Sequence, residues 1–284
     1  MMKMTMRLDK SQIPDTVKIT ATSKINLAPY AMAGYVHADV MLVGALGGRA
    51  GYSQKSGAGT VYGAGGGGGG AVRRKLRIGE VVARAFSGGP AQCIIGTAGT
   101  KGADRVGTGD DGTNGGNTQF DTLVAYGGEG ASAGGWSLSH PIPSNGGDGG
   151  SNKWTNPDNP SEIVVLGEPG IGGLPSTTGM WEDRFYEGGE GDGGGGGGGG
   201  GGTGGILQSG DLTGDPDPGK PGNSLTSGGS GATYGPGGAV SGRFGGFGGG
   251  ANIKPIIGTD EYYGGISISA DNKFSQGVIA IKFL

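Results

Sequence analysis

What this sequence has little of narrows its function first. A single cysteine, Cys93, in 284 residues excludes an intrachain disulfide and a cysteine-cluster metal site. Its setting, Gln92-Cys93-Ile94-Ile95, is that of a small buried hydrophobe. Histidine occurs only at His37 and His140, far apart and in no metal spacing, so both read as polar surface residues. No apolar run approaches the roughly 20 residues of a membrane helix, and Met1 to Arg7 mixes Lys3 and Arg7 with methionines where a secretory leader would be apolar. The expectation is a soluble chain made in the cytoplasm, without membrane insertion. Positive charge is not in excess either: a formal net charge of -3 and a pI near 5.4 argue against general affinity for nucleic acid.

The signatures of catalysis are missing as well. There is no Walker A sequence, no EF-hand loop and no regular nonapeptide calcium repeat. Matches to G-x-G-x-x-G carry no information in a chain this rich in glycine. Glu182 and Asp183 are adjacent, and neighbours in an extended chain point opposite ways, so they do not form the facing acid pair of a glycosidase. Asp110-Asp111 and Asp215 with Asp217 have the chemistry to hold a cation, and solvated turns explain them equally well. No catalytic residue, metal ligand or cofactor is expected, and the chain does not read as an enzyme.

What is present is glycine. It supplies 74 of 284 residues, and with 14 prolines accounts for close to a third of the chain, against a usual glycine share of about 7%. On composition alone this is a flexible low-complexity linker. Strand patterns between the glycine tracts, and a chain closing on Val278-Ile279-Ala280-Ile281-Lys282-Phe283-Leu284, speak against that reading. With only 33% hydrophobic residues the apolar core is modest, so backbone hydrogen bonds must carry an unusual share of the cohesion.

The longest tract is ten consecutive glycines, Gly193 to Gly202, with Gly197 at its middle. Glycine pays the largest backbone entropy on ordering and has no side chain to bury, so neither a helix nor an ordinary strand accounts for the run. The ordered alternative is an extended threefold helix of the polyproline II kind, which makes no internal hydrogen bonds. Its amides and carbonyls must then pair with neighbouring chains, which can approach because nothing larger than hydrogen projects from each Cα. Such a structural rod of ten residues spans about 30 Å.

In chain order, Val17 to Ile25 reads as a strand, and Ile25 to Tyr35 leads into a second, Asp39 to Leu46, that runs straight into Gly47-Gly48. Within Ala71 to Phe86, Val72, Arg74, Leu76 and Ile78 alternate with Arg73, Lys75 and Arg77, which puts a basic stripe on one face of a strand. That stripe is a solvated face, or it meets acidic residues such as Glu182, Asp183, Glu187, Glu190 and Asp192 or a partner subunit. Gln92 to Gly96 is a short strand, Thr97 to Gly116 a polar, turn-rich excursion, and Glu162 to Leu166 another strand. Further excursions, Trp136 to Asn145, Ser151 to Pro160 and Leu174 to Glu187, alternate with glycine tracts.

Three pieces carry a family resemblance. A strand enters a glycine patch at Asp39 to Gly51; Gly115-Gly116-Asn117-Thr118-Gln119-Phe120 precedes a short apolar strand and Gly127-Gly128-Glu129-Gly130; and Gly245 to Leu284 is a glycine-rich tail closing on a strand. Together they resemble the glycine-rich domain of bacteriophage tail proteins, over roughly residues 20 to 284. The chain is also similar in construction to the glycine-rich adhesins at the tips of T-even-like long tail fibres, whose polyglycine II rods carry variable receptor-binding loops.

The expected fold is therefore mainly β with little or no helix: a glycine-rich β domain with a polyglycine II helix bundle. Residues 1–38 are read as an N-terminal attachment segment and first strand, and 39–284 as the glycine-rich domain with inserted loops. The resemblance implies a virion tail component, in a fibre, tail tip or baseplate, that contacts a host surface receptor (a glycan or outer-membrane protein) and other tail proteins. It also implies a homotrimer or attachment to a trimeric fibre. All three tryptophans lie in the excursions, and large flat side chains bind at small entropic cost. Trp136, Trp154, Trp181, Phe185 and Tyr186 are accordingly the receptor-binding candidates, unless they cap the glycine rods instead. A purely structural tail protein is the alternative. An ice-binding or other surface-adhesive protein is a third class, against which the bulky irregular excursions speak.

Overall fold

The consecutive apolar residues Val278 to Ile281 of the closing segment need a buried surface on both sides, and they find it at the centre of a sheet. In the computed structural model of this protein Val278–Phe283 lies between Thr16–Ile19 and His37–Val43, antiparallel to both, and Ala71–Arg77 adds a fourth strand beyond His37–Val43. The structure describes residues 9–48, most of 50–142, residues 147 and 150, strand segments within 152–167, 206–213 and 254–263, and residues 276–284. Among them the protein is mainly β-sheet, with two short α-helices, Ala28–Met32 and Ile78–Arg84.

A second antiparallel sheet has six strands, in the order Ile163–Gly167, Asn152–Thr155, Leu123–Ala125, Thr118–Phe120, Ala91–Ile94, Ser23–Ile25. Its inward residues Cys93, Phe120, Leu123 and Ala125 share one core with Val40, Leu42, Val72, Ile279 and Ile281 of the first sheet. Burying each large aliphatic or aromatic side chain there contributes about 1.5–3 kcal/mol. Both helices close the core's edges. Tyr30 of the first stacks on Phe283 with ring centroids 3.6 Å apart, and Ile78 and Val81 of the second are fully buried.

Four readings of the sequence are revised. The segment Val17 to Ile25 is not one strand: it breaks after Ile19, and Ser23–Ile25 joins the other sheet, with Thr22 Oγ1 accepting from the Ile95 amide. The alternation from Ala71 ends at Arg77, where the chain turns into the Ile78–Arg84 helix, so Ile78 and Val81 reach the core at helical spacing. The boundary drawn at residue 38 falls inside strand His37–Val43, and the first strand pairs with the last, so residues 16–38 share the core of the remainder. Thr97 to Gly116 is an excursion but not turn-rich: its segments on either side of one tight return at Gly107 are held by backbone hydrogen bonds.

At one end of the two sheets, strands from both lead into glycine-rich segments, described at 44–48, 50–51, 69–70, 95–103, 110–117 and 126–131. These segments bond to one another through the backbone. The amides of Ala45, Gly48 and Gly51 donate to the carbonyls of Gly116, Thr113 and Asp110, and the amides of Gly116, Thr113 and Asp110 donate onward to Thr97, Thr100 and Ala103. On the other side Gly128 and Ala131 donate to Ala45 and Gly48, while Gly115 and Gly112 donate to Gly128 and Ala131. A β ladder alternates every two residues; these bonds recur every three. Gly99 donates to Leu46 and Gly70 to Tyr126, so each segment bonds to more than one neighbour.

Such proximity excludes side chains. A Cβ at Gly44, Gly47, Gly48, Gly51, Gly102 or Gly127 would fall within 3.0 Å of a neighbouring segment's carbonyl. The ten-glycine run with Gly193, Gly197 and Gly202 lies outside the described residues.

Two outcomes follow from this packing. Gly48→Ala drives its methyl into the Thr100 carbonyl and should cost roughly 1–3 kcal/mol or more. Gly79→Ala, in a helix with nothing within 4 Å of the new Cβ, should instead stabilise by about 0.5–1 kcal/mol; paired urea denaturation curves read both. Burial pushes the Cys93 thiol up from 9.0 to about 11, so its contribution is fully present below the unfolded value and lost as pH rises through the folded one. Cys93 should resist a thiol reagent at pH 8 until the chain unfolds.

Candidate functional site

The glycine segments carry three excursions away from the core and back, and where they turn the chain builds a small cap. The first turn is the hairpin of Ser53–Lys55 with Gly59–Val61; the second contains Arg105–Val106; the third is the hairpin of Gly135–Ser137 with His140–Ile142. Ser53–Lys55 pairs in parallel with Arg105–Val106, and Gly59–Val61 pairs with Ile206–Gln208, itself in a hairpin with Asp211–Thr213. The result is a five-stranded cap sheet drawn from residues far apart in sequence.

Ser53 is the knot of the cap. It is fully buried, its hydroxyl donates to the Gly134 carbonyl at 2.5 Å, and the Gly109 amide donates to that hydroxyl at 2.7 Å. One small side chain thus ties all three excursions together. Gly107, at φ 100°, makes the tight return of the second excursion, and its amide donates to Gln54.

Charges sit at the base of this turn. Arg105 donates to both carboxylate oxygens of Asp110, at 2.7 and 2.5 Å, and Lys101 pairs with Asp104. The Arg105 hydrogen bonds hold the Asp110 carboxyl below the usual value of 3.8. Both partners are solvated, so the pair shapes the turn more than it stabilises it. Val106 beside it is 82% exposed, the most exposed of the large hydrophobic side chains described.

Of the expected recognition residues, Trp136 lies in the cap. Its ring is half-buried, its indole N–H donates to the Ser53 carbonyl at 3.4 Å, and the Lys55 ammonium lies 5.9 Å from the ring centroid. Trp154 is not in a loop: it occupies strand Asn152–Thr155 of the six-stranded sheet, in register with Leu123 and Val164. Trp181, Phe185 and Tyr186 lie outside the described residues. Arg74 shares the parity of Val72 and Leu76 and is half-buried, while Lys75 and Arg77 are exposed, with Arg77 3.8 Å from Glu80. The acidic residues named as partners for that stripe lie outside the described residues. Among the described residues no cluster of His, Cys, Asp or Glu has the makings of a metal site.

One set of side chains with a definite task escaped the sequence reading. Asp111, Asn114 and Asn117 accept from the amides of Ala133, Gly130 and Gly127, at 2.6, 2.8 and 3.0 Å. They stand three residues apart on one segment and meet amides three apart on its neighbour, so their oxygens do what a further chain's carbonyls would. The signal was present as Asp-x-x-Asn-x-x-Asn, a period of three among polar residues.

The fold and cap define a class: a β protein in which a backbone-bonded glycine bundle separates a two-sheet core from a cap of returning loops. The chain belongs to the glycine-rich domain family, whose model matches residues 25–277. No curated protein matches it.

The polar ladder is testable at its centre. Asn114→Ala removes the acceptor of an exposed amide and should cost about 1 kcal/mol. In hydrogen exchange, Gly130 should lose protection while Gly128, bonded to Ala45 through the backbone, keeps its own.

Proposed function

We propose that the protein is a tail component of a bacteriophage virion, in a fibre, tail tip or baseplate, that meets the host surface through the cap. In this reading the bundled segments are threefold rods of the polyglycine II kind. The observation that carries it is the three-residue recurrence of hydrogen bonds between segments that join the core to the cap. Such a bundle is a stiff spacer, because bending it breaks many backbone hydrogen bonds at once. Loops on a rigid scaffold are where recognition concentrates, since their sequence varies without disturbing the fold. The tail assignment draws its support from the Gly115 to Gly130 motif and the glycine-rich tail. Trimeric assembly, a surface glycan or outer-membrane protein as receptor, and other tail proteins as neighbours belong to the same proposal.

A purely structural role has one observation in its favour. Trp136 spends its indole N–H on Ser53 and sits against Lys55, which is the work of a residue holding the cap together. Trp136→Ala should therefore lower the melting temperature before it affects anything else. Val106, by contrast, is free to touch a partner.

Immunogold electron microscopy of virions with an antibody to this protein should label the tail. Val106→Ser should leave thermal melting unchanged and reduce adsorption to host cells by about tenfold, equivalent to about 1.4 kcal/mol. Labelling absent from the tail removes the tail reading. Tail labelling with parental adsorption by folded Val106→Ser leaves the structural role as the better one.

A further inference from the structure

Away from the cap, the outer face of the six-stranded sheet forms a cleft of about 450 Å³ beside the end of the Ile78–Arg84 helix. Lys24, Gln92, Ile94 and Gln119 line it from three adjacent strands, and Arg84 and Asp121 close one side. This is within the usual volume range of small-molecule sites. A further observation falls at the same place.

Asp121 has φ 51°, the single positive value outside glycine among the described residues. It opens the two-residue turn between Thr118–Phe120 and Leu123–Ala125, a position where glycine or asparagine is the unstrained choice. The strained backbone holds a carboxylate against Arg84, whose Nε donates to both oxygens at 3.1 Å and whose Nη2 donates at 2.5 Å. Strain of this kind persists where the surroundings hold the residue in place, and it concentrates at functional sites.

Charge sets the class of ligand. Asp121 is neutralised by Arg84, which leaves the Lys24 ammonium as an excess positive charge in the cleft. Gln92 and Gln119 offer amide donors and acceptors of the kind that read hydroxyl groups. Ile94, Ala85 and Pro90 supply an apolar floor, sized for the C–H face of one ring. We propose that this cleft binds a single carboxylate-bearing sugar of the hexuronate type, with its carboxylate on Lys24 and its hydroxyls on Gln92 and Gln119. The site lies on the core and stands independently of the tail reading and of the cap.

Isothermal titration of the full chain with sodium glucuronate tests this. Saturable binding with a Kd on the order of 1 mM is expected, with glucose and acetate each at least tenfold weaker. Lys24→Gln and Gln92→Ala should each weaken binding at least fivefold with melting unchanged, and Val106→Ser should bind as the parent. Absence of saturation overturns the site. Acetate binding as tightly as glucuronate overturns the sugar class, and parental binding by folded Lys24→Gln removes the cleft as its location. Loss of binding in Val106→Ser would place it at the cap instead.

Discussion

Hydrogen bonding between chains that have no side chains to keep them apart is the interaction on which the rest of this molecule depends. At Gly48 and Gly51 the neighbouring carbonyl occupies the volume that a methyl group would need. The approach lets amides three residues apart find partners on a neighbouring segment, and it explains the glycines at the described positions where segments meet. It also sets a cost. Glycine loses more conformational freedom than any other residue on ordering, and each net hydrogen bond returns only about 0.5–1.5 kcal/mol. A bundle of this kind is stable only if its ends are held by something else.

The two ends are held in different ways. At the core, side chains from two sheets, with Val278–Phe283 in the middle of one of them, anchor strands His37–Val43, Ala71–Arg77, Ala91–Ile94, Thr118–Phe120 and Leu123–Ala125, which lead into the bundle. The closing strand meets the first, and Tyr30 stacks on Phe283, so the chain completes its core only when its last residues arrive. At the cap a buried serine bonded to backbone groups ties the three excursions together. Pairings of such long sequence separation make for slow folding, because loop closure precedes the contacts that reward it.

Polar side chains in the bundle serve the backbone before they serve any partner. Asp111, Asn114 and Asn117 finish the hydrogen bonding of amides at Ala133, Gly130 and Gly127. Thr100 and Thr113 do the same across a neighbouring pair, with the Thr100 amide donating to Thr113 Oγ1 at 2.7 Å. These residues are exposed, and on composition they pass for solvated turns. The same demand explains Trp136: an aromatic beside a glycine scaffold finds few side chains to pack on, so it packs on what the cap provides.

The sequence by itself determined the apolar strand segments. The strands at residues 39–43, 92–94, 123–125, 163–166 and 278–283 were legible because short, mostly apolar runs between glycine-rich stretches commit a strand to burial. Burial of Cys93 followed from its apolar neighbours, and backbone cohesion followed from the scarcity of hydrophobic residues. Tertiary structure alone decided what glycine and the polar residues between the strands do. The chain from 97 to 116 reads as turns because its pattern repeats every three residues, and its amides are satisfied only by segments distant in sequence. For the same reason the Ser53 knot, the turn of Ala71 to Phe86 into a helix, and the placement of Trp154 in a strand emerged only on folding. A period of three among polar residues, as at Asp111, Asn114 and Asn117, marks in the sequence the role of satisfying backbone groups on another segment, but which groups those are is decided only when the distant segment is beside it.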